Sequence, residues 1–470
     1  MNICMNESMV GVLGLFCIAA IVITLLKGRT QPAITFILYP TVLAVILVIG
    51  KWYSFNDITA MIRAGFSSTG PTAALFVFSI LVFGIMNDAG MFDVIIRKMM
   101  AMVGESVIGV AMVTAIITLV CHLDCNGSST FCILIPAMLP VYRRMHMRET
   151  TLLRIGIVCM GAMNLLPWSG ASLRTATVLG IEGSKLWHTV LPVQLFAIAL
   201  ALGHAFLAGI QEKSRGAGIN ENPTNIEEHE MPAEEKTDSE EVVRPNRLLV
   251  NILLTIGVIA MLAWNRFPSY YPVMLGTVIA LFVNYGFKVS VHRKIINQHA
   301  APALTMCLTM MGAAVLMGIM TSSIGADGNV LPSSMVELPS DAVPAVMRCL
   351  ANLVSSALPA ALGKHLHLLL CVLALPMALF FDTDSYFYGM LPVMLGIGQA
   401  FGLETLPIAF TMLILRISAT FICPMTAALL LATGMADVPI KNHIKASALY
   451  VWGFSFLCLL FAVFIGLVPI

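Results

Sequence analysis

The chain has 470 residues, 59% of them hydrophobic and only 11% charged, with a mean hydropathy of +0.91 and a net charge of +1. A soluble domain carries roughly 25% charged residues, which excludes that class, and a near-neutral balance leaves no electrostatic footprint for a nucleic-acid partner. Several apolar runs reach the roughly 20 residues needed to cross a hydrocarbon core of about 30 Å, so the expected fold is an all-α polytopic membrane protein.

In chain order, residues 9–26 form the first expected span and 33–50 the second. The first is full spanning length and lacks a basic n-region, so it does not read as a cleaved signal peptide. Residues 51–65 are polar and amphipathic, and 71–86 carry the third span. Residues 90–104 read as an interfacial amphipathic helix, with Met91, Val94, Ile95 and Met99 on its apolar face. A hydrophobic segment at 106–142 is then interrupted by CHLDCNGSST, beginning at Cys121. Each arm is too short to span. The next span, from 151, breaks at Pro167-Trp168-Ser169-Gly170, and 186–210 completes a first transmembrane repeat at 1–210. Residues 211–247 are rich in Glu and poor in aromatics, which predicts a solvent-exposed hydrophilic connector.

The second repeat, 248–470, follows the same plan. Its spans are 248–264, 271–287 and 301–323, with a basic stretch at 288–294 and a polar-to-amphipathic region at 325–364. A second short-armed segment at 366–400 is interrupted by Asp382-Thr383-Asp384-Ser385. The span from 406 breaks at Cys423-Pro424, and 446–470 closes the chain. Pro136 and Pro392 differ by 256, and Pro167 and Pro424 by 257. That offset sets Asn126 on Asp382 and Ser128 near Asp384.

If both interrupted segments are re-entrant hairpins, each repeat makes about five crossings with one hairpin and one broken helix, and the second is inverted. Cytoplasmic loops are enriched in Lys and Arg. Starting the N-terminus outside puts Lys27, Arg29, Arg97, Lys98, Arg143, Arg144, Arg148, Lys213, Arg215, Lys288, Arg293, Lys294, Lys441 and Lys445 inside, against Lys51, Arg63, Lys185, Arg266, Arg348 and Lys364 outside. Both termini are therefore expected outside and the connector in the cytoplasm.

Carboxylates within a bilayer are costly, so Asp124, Asp382 and Asp384 are the candidate ion- or metal-coupling residues. A broken helix offers amides and carbonyls to charged ligands. The candidate substrate-binding residues are Asn126, Gly127, Ser128, Ser129 and Thr130 at the first tip, Thr383 and Ser385 at the second, and Pro167, Trp168, Ser169, Gly170, Pro424 and Thr426 at the breaks. Arg174 could clamp a carboxylate bidentately. The plainer alternative makes both hairpins full spans with surface loops, their hydroxyls ordinary caps and Arg174 a snorkelling side chain. Arg416 could bind substrate or pair with a structural carboxylate. The eleven cysteines show no zinc or disulfide spacing, and Cys121, His122, Asp124 and Cys125 fit no standard metal motif. His365 and His367 read as interfacial, and the methionines at 306–320 as packing.

Four stretches carry a family resemblance: FGIMNDAGMFDVIIRKMM from Phe83, LDCNGSSTFCILIPAMLPVYRRMHM from Leu123, NLLPWSGASLRTATVLG from Asn164 and FFDTDSYFYGMLPV from Phe380. On them the chain resembles the citrate–metal:proton symporter family (CitMHS), within the larger ion transporter superfamily. The resemblance implies a carboxylate importer taking citrate as a complex with a divalent metal such as Mg, Ca or Zn, with protons. It also implies inverted repeats, elevator-like motion, a homodimer and a bacterial inner (plasma) membrane location. The family's first tip reads Leu-Asp-Gly-Asp-Gly, where this chain has Asn126; its second reads Ser-Asn-Asp, where this chain has Asp382-Thr383-Asp384. One carboxylate is lost at one tip and gained at the other, and Thr420 stands where a His is expected.

The leading reading is a symporter of a small carboxylate such as citrate, with no tightly bound cofactor. The alternative within transport is a metal-independent organic-anion carrier run on Na⁺ or H⁺. An intramembrane aspartyl hydrolase lacks its Gly-x-Gly-Asp motif, and His-Glu-x-x-His is absent too, so an enzyme is not expected. A passive channel is distinguished only by its failure to accumulate substrate uphill. No ATP-binding motif appears.

Overall fold

A computed structural model shows an almost wholly helical chain. It describes residues 5–27, 30–92, 94–95, 98, 106–218, 247–264, 266–331, 338–357, 359, 363, 365–424 and 426–469. Most of the connector, at 219–246, lies outside these residues, as do parts of the 90–104 stretch and Arg29, Arg97 and Lys364 of the charge count.

The helices run α1 (Glu7–Leu26), α2 (Pro32–Ile49), α3 (Phe55–Asp88), α4 (Val107–Cys121), α5 (Gly127–Arg144), α6 (Glu149–Met163), α7 (Gly170–Leu179), α8 (Gly183–Ser214) and α9 (Leu248–Trp264). After them come α10 (Tyr270–Tyr285), α11 (Val289–Thr321), α12 (Val346–Ala357), α13 (Leu366–Phe380), α14 (Leu391–Ala400), α15 (Thr405–Arg416), α16 (Ala427–Met435) and α17 (Ile440–Phe464). Seven helices among the described residues are long and apolar enough to cross a bilayer. Large apolar side chains such as Phe16, Leu195, Leu253 and Leu449 stay exposed, as a hydrocarbon solvent permits.

Two helices are longer than the sequence suggests. The amphipathic stretch at 51–65 and the span at 71–86 form one helix, α3. It starts with a reciprocal cap: Ser54 N donates to Asp57 Oδ2 at 2.7 Å and Asp57 N to Ser54 Oγ at 3.2 Å, satisfying two orphan amides. Likewise the basic stretch at 288–294 continues into α11. These two helices pack along much of their length, and the packing explains their extension. A Cβ on Gly65 would strike the Ala314 carbonyl oxygen, and one on Gly318 the Met61 carbonyl oxygen. Lipid gives apolar helices no hydrophobic drive to associate, so close backbone approach through small residues holds them together. Helices α2 and α10 flank this pair. Buried Asn251 and Asn284 exchange amide hydrogen bonds of 3.0 and 2.9 Å between α9 and α10.

The region at 325–364 contains helix α12, which lies on α1 and α14. Just ahead of it, β1 (Ser323–Ile324) pairs antiparallel with β2 (Val330–Leu331). The remaining helices form a second body. Helices α4 and α6 pack on α8, α17 on α6 and α15, α13 on α15, and α16 on α5. Helix α7 touches both α3 and α15, so this body is seated against the α3–α11 pair.

Candidate functional site

Both interrupted segments break between two helices. The arms of the first, α4 and α5, pack on each other. Residues 107–124 are long and apolar enough to cross a bilayer, against the expectation that each arm is too short. Helix α4 ends at Cys121, and a 3-10 turn at His122–Asp124 follows. Cys125 then adopts φ +53°, a left-handed conformation costly for a residue with a Cβ. Asn126 starts α5: its Oδ1 accepts from Ser128 N at 3.1 Å and Ser129 N at 3.3 Å. Asp124 Oδ1 accepts from Asn126 N at 2.9 Å. Downstream, α13 ends at Phe380 and Asp382 does the same work. Its Oδ2 accepts from Asp384 N at 3.1 Å and its Oδ1 from Ser385 N at 3.4 Å. Residues 126, 128 and 129 thus correspond to 382, 384 and 385 at one offset of 256. A π-helical segment, Ser385–Met390, then leads into α14; such turns recur at functional sites.

The two broken helices meet these tips. Helix α6 stops at Met163 and α7 restarts at Gly170. The break begins at Asn164, because Pro167 lacks the N–H that would bond the Met163 carbonyl four residues back. Ser169 and Ser172 hydroxyls both donate to the Asn164 carbonyl oxygen, the latter at 3.2 Å, and Ser169 Oγ caps α7 by accepting from Ser172 N at 3.1 Å. Helix α15 stops at Arg416, a 3-10 turn spans Ala419–Ile422, and α16 restarts at Ala427. Thr426 Oγ1 donates to Thr420 O at 2.9 Å across this second break. Asn164 joins the breaks directly, its Nδ2 donating to Ile417 O at 2.8 Å.

Each tip contacts the break of the opposite half. Arg174 on α7 donates from Nε to Asp384 Oδ1 at 2.7 Å and from Nη1 to Gly170 O at 2.8 Å. The predicted carboxylate clamp therefore already holds one of the chain's own carboxylates. Phe421 of the second break lies 5.8 Å, ring to ring, from His122, and a Cβ on Gly127 would meet its ring at 2.7 Å. Tip one also contacts its own break, where Trp168 donates from Nε1 to Leu123 O at 2.7 Å and stacks on Phe83 at 5.0 Å. Among the described residues no hydrogen bond or ion pair joins Asp124 to Asp382 or Asp384.

Thr130 is buried, its Oγ1 2.7 Å from His122 Nδ1, while Asn126 and Pro424 stay exposed and Thr383 is partly buried. Ser385 is fully buried, and among the described residues its hydroxyl has no hydrogen-bond partner. Other residues were not assigned from sequence or take a further part. Asn164 bridges the breaks, with His122 Nε2 3.4 Å from its Oδ1. Met306 is more than packing, since its sulfur lies 3.6 Å from Arg174 Nη2. His367 is buried against Thr411 Oγ1 at 3.1 Å rather than interfacial. Asp88 and His299 pair at 2.9 Å between α3 and α11. Among the described residues no three His, Cys, Asp or Glu gather as a metal site. Asp382 and Asp384 offer the hard oxygen donors that Mg²⁺ and Ca²⁺ prefer.

The profile of the CitMHS family, described as citrate transporter, matches residues 18–415. A citrate transporter of Bacillus subtilis (strain 168) is 27% identical over 460 residues, covering 98% of this chain and 100% of the relative. A Mg(2+)/citrate complex secondary transporter of the same organism is 28% identical over 440 residues, covering 93% and 94%. The fold is similar to the crystal structure of the YdaH transporter of Alcanivorax borkumensis, with a TM-score of 0.56 at 15% identity, covering 93% of this chain and 99% of that one. With a match over most of its length, and both tips and both breaks within or bordering it, this chain belongs to the CitMHS citrate transporter family.

Proposed function

We propose that the protein is a secondary transporter that moves citrate, or a close small carboxylate, as a divalent-metal complex coupled to protons. The observation that carries this reading is the crosswise site. Two capped hairpin tips, bearing Asp124, Asp382 and Asp384, are tied to two broken helices through the Arg174–Asp384 pair and the Asn164–Ile417 bond. Tip hydroxyls and helix-break amides suit an anion, and tip carboxylates suit its cation. Because Arg174 is engaged by Asp384, binding of a metal or proton at Asp384 would free the guanidinium for substrate. The names of the two Bacillus relatives support citrate and its Mg²⁺ complex as cargo.

Alternating access would carry both hairpins and their broken helices as one body against the α3–α11 pair, in an elevator-like stroke. The packing of α16 on α5 and of α13 on α15 supports moving the tips with the broken helices. Inverted topology, outside termini, a cytoplasmic connector and a homodimer in a bacterial inner membrane complete the proposal. Uptake of labelled citrate into proteoliposomes tests it, with and without Mg²⁺, Ca²⁺ or Zn²⁺, under an inward proton gradient. The expected result is metal-dependent accumulation above equilibrium that collapses when the gradient is dissipated. Equilibration without accumulation would refute active transport, and full accumulation in chelator would refute the metal complex.

A further inference from the structure

Arg416 closes α15 with no exposed surface. Its Nη2 donates to Phe381 O at 2.8 Å, and its guanidinium carbon lies 5.2 Å from the centre of the Tyr386 ring. Among the described residues its Nε and Nη1 have no hydrogen-bond partner within normal geometry, with the Cys423 side chain against the guanidinium. Among the described residues no carboxylate forms an ion pair with it. A guanidinium stays charged under all ordinary conditions and carries five N–H donors. Leaving such donors unpaired away from water is costly, and inside a membrane a charge kept at that cost is a functional group by default.

Its surroundings fit an anion with a cation beside it. Cys423 donates from Sγ to Phe381 O at 3.4 Å, fixing the second break to the carbonyl that anchors Arg416. Asp382 is close enough to act on the charge of Arg416, yet its oxygens are held by the amides of Asp384 and Ser385. The buried Ser385 hydroxyl, unpartnered as well, lies one residue before Tyr386. Arg174, in contrast, is bound to Asp384.

We propose that Arg416 forms the subsite for a carboxylate group of the transported anion. This rests on the transporter reading above and deepens it: the anion is held at the second break. The site is reached when tip two, which supplies Phe381, Asp382 and Ser385, moves away from α15.

The test is isothermal titration of purified protein in detergent, with citrate in the presence and absence of Mg²⁺ and with Mg²⁺ alone. Arg416→Lys keeps the charge but replaces the planar five-donor fork by a three-donor ammonium. It should weaken citrate binding at least tenfold. Arg416→Gln/Asp382→Asn removes both charges, so it leaves no orphan ion to unfold the chain, and it too should bind citrate at least tenfold more weakly. Citrate binding within twofold of the unaltered protein in either variant overturns the assignment alone; in the double variant it would make Arg416 a mere counter-ion of Asp382. Absence of citrate binding to the unaltered protein overturns the citrate reading and this subsite with it.

Discussion

The Arg174–Asp384 pair allows folding and transport to be separated. Asp384→Asn keeps the side-chain volume but leaves the Arg174 guanidinium, only 7% exposed, facing a neutral amide. Nε lies 2.7 Å from Oδ1. With the charge centres about 4 Å apart, the attraction is about 4 kcal/mol at an effective dielectric constant of about 20. Removing one member of a buried pair costs about 3–5 kcal/mol, mostly through the stranded partner. Asp384→Asn and Arg174→Gln are therefore each expected to lower stability by about 3 kcal/mol. The double variant strands no charge, so it should lose about 3 kcal/mol, no more than either single variant, and a cycle should report a coupling of about 3 kcal/mol. Chemical denaturation in micelles measures the stabilities, and citrate uptake by proteoliposomes from the same preparations measures transport. The double variant should be as stable as either single variant and still fail to accumulate citrate uphill. Additive losses would refute the pair as a stabilising contact. Uphill uptake by the double variant would refute a coupling role for Asp384.

Three further outcomes follow from other contacts. Asn164→Ala removes the donor to Ile417 O at 2.8 Å and leaves a buried carbonyl unsatisfied, at a cost of about 1–3 kcal/mol by denaturation; an unchanged midpoint would show that the breaks are not tied through this side chain. Gly65→Ala or Gly318→Ala puts a Cβ onto a facing carbonyl oxygen, so each should reduce the monodisperse fraction in fluorescence-detected size exclusion, whereas Gly70→Ala, with open space around its Cβ position, should not. Glu212 receives hydrogen bonds from Thr151 Oγ1 at 2.6 Å, Arg148 Nε at 2.7 Å and Arg215 Nη2 at 2.7 Å. Glu212→Ala should cost about 1–3 kcal/mol, only weakly screened by salt because the carboxylate is buried although both arginines reach solvent.

Composition and periodicity were enough to read the membrane class, the spans and the two interrupted segments, because apolar length is a one-dimensional property of sequence. The offset between Pro136 and Pro392 also anticipated that residues 126 and 382 would play matching parts, and their caps do match. Contacts between segments far apart in the chain were not legible. Nothing in the run around Asn164 marks Ile417 as its partner, 253 residues away. Arg174 has the chemistry of a substrate clamp, and only the fold shows that Asp384 occupies it. Arg416 looked equally suited to substrate or to a structural acid; its unpaired nitrogens become visible only once its neighbours are placed. The lengths of α3 and α11 were missed because their polar ends resemble loops, and it is the partner helix that makes helix the better conformation there.

Asn126 and Asp382 bear on why an anion carrier keeps so many acids. Capping requires only an acceptor oxygen, and Asn serves as well as Asp. The charge on Asp382 is therefore not needed to start the helix after tip two, just as its absence at Asn126 does not prevent the helix after tip one. Where the charge lies is free to answer to the site. Across both tips and both breaks stand three carboxylates, Asp124, Asp382 and Asp384, and two guanidiniums, Arg174 and Arg416, so three negative less two positive leaves one negative charge. A bare polyanion entering that balance meets net repulsion. An anion that arrives with a divalent cation or with protons does not, because its positive charge can sit against the second-tip acids while its carboxylate faces a guanidinium. On the reading proposed above, cargo and cation would enter together, and an acid at 382 with an amide at 126 would set where the cation sits.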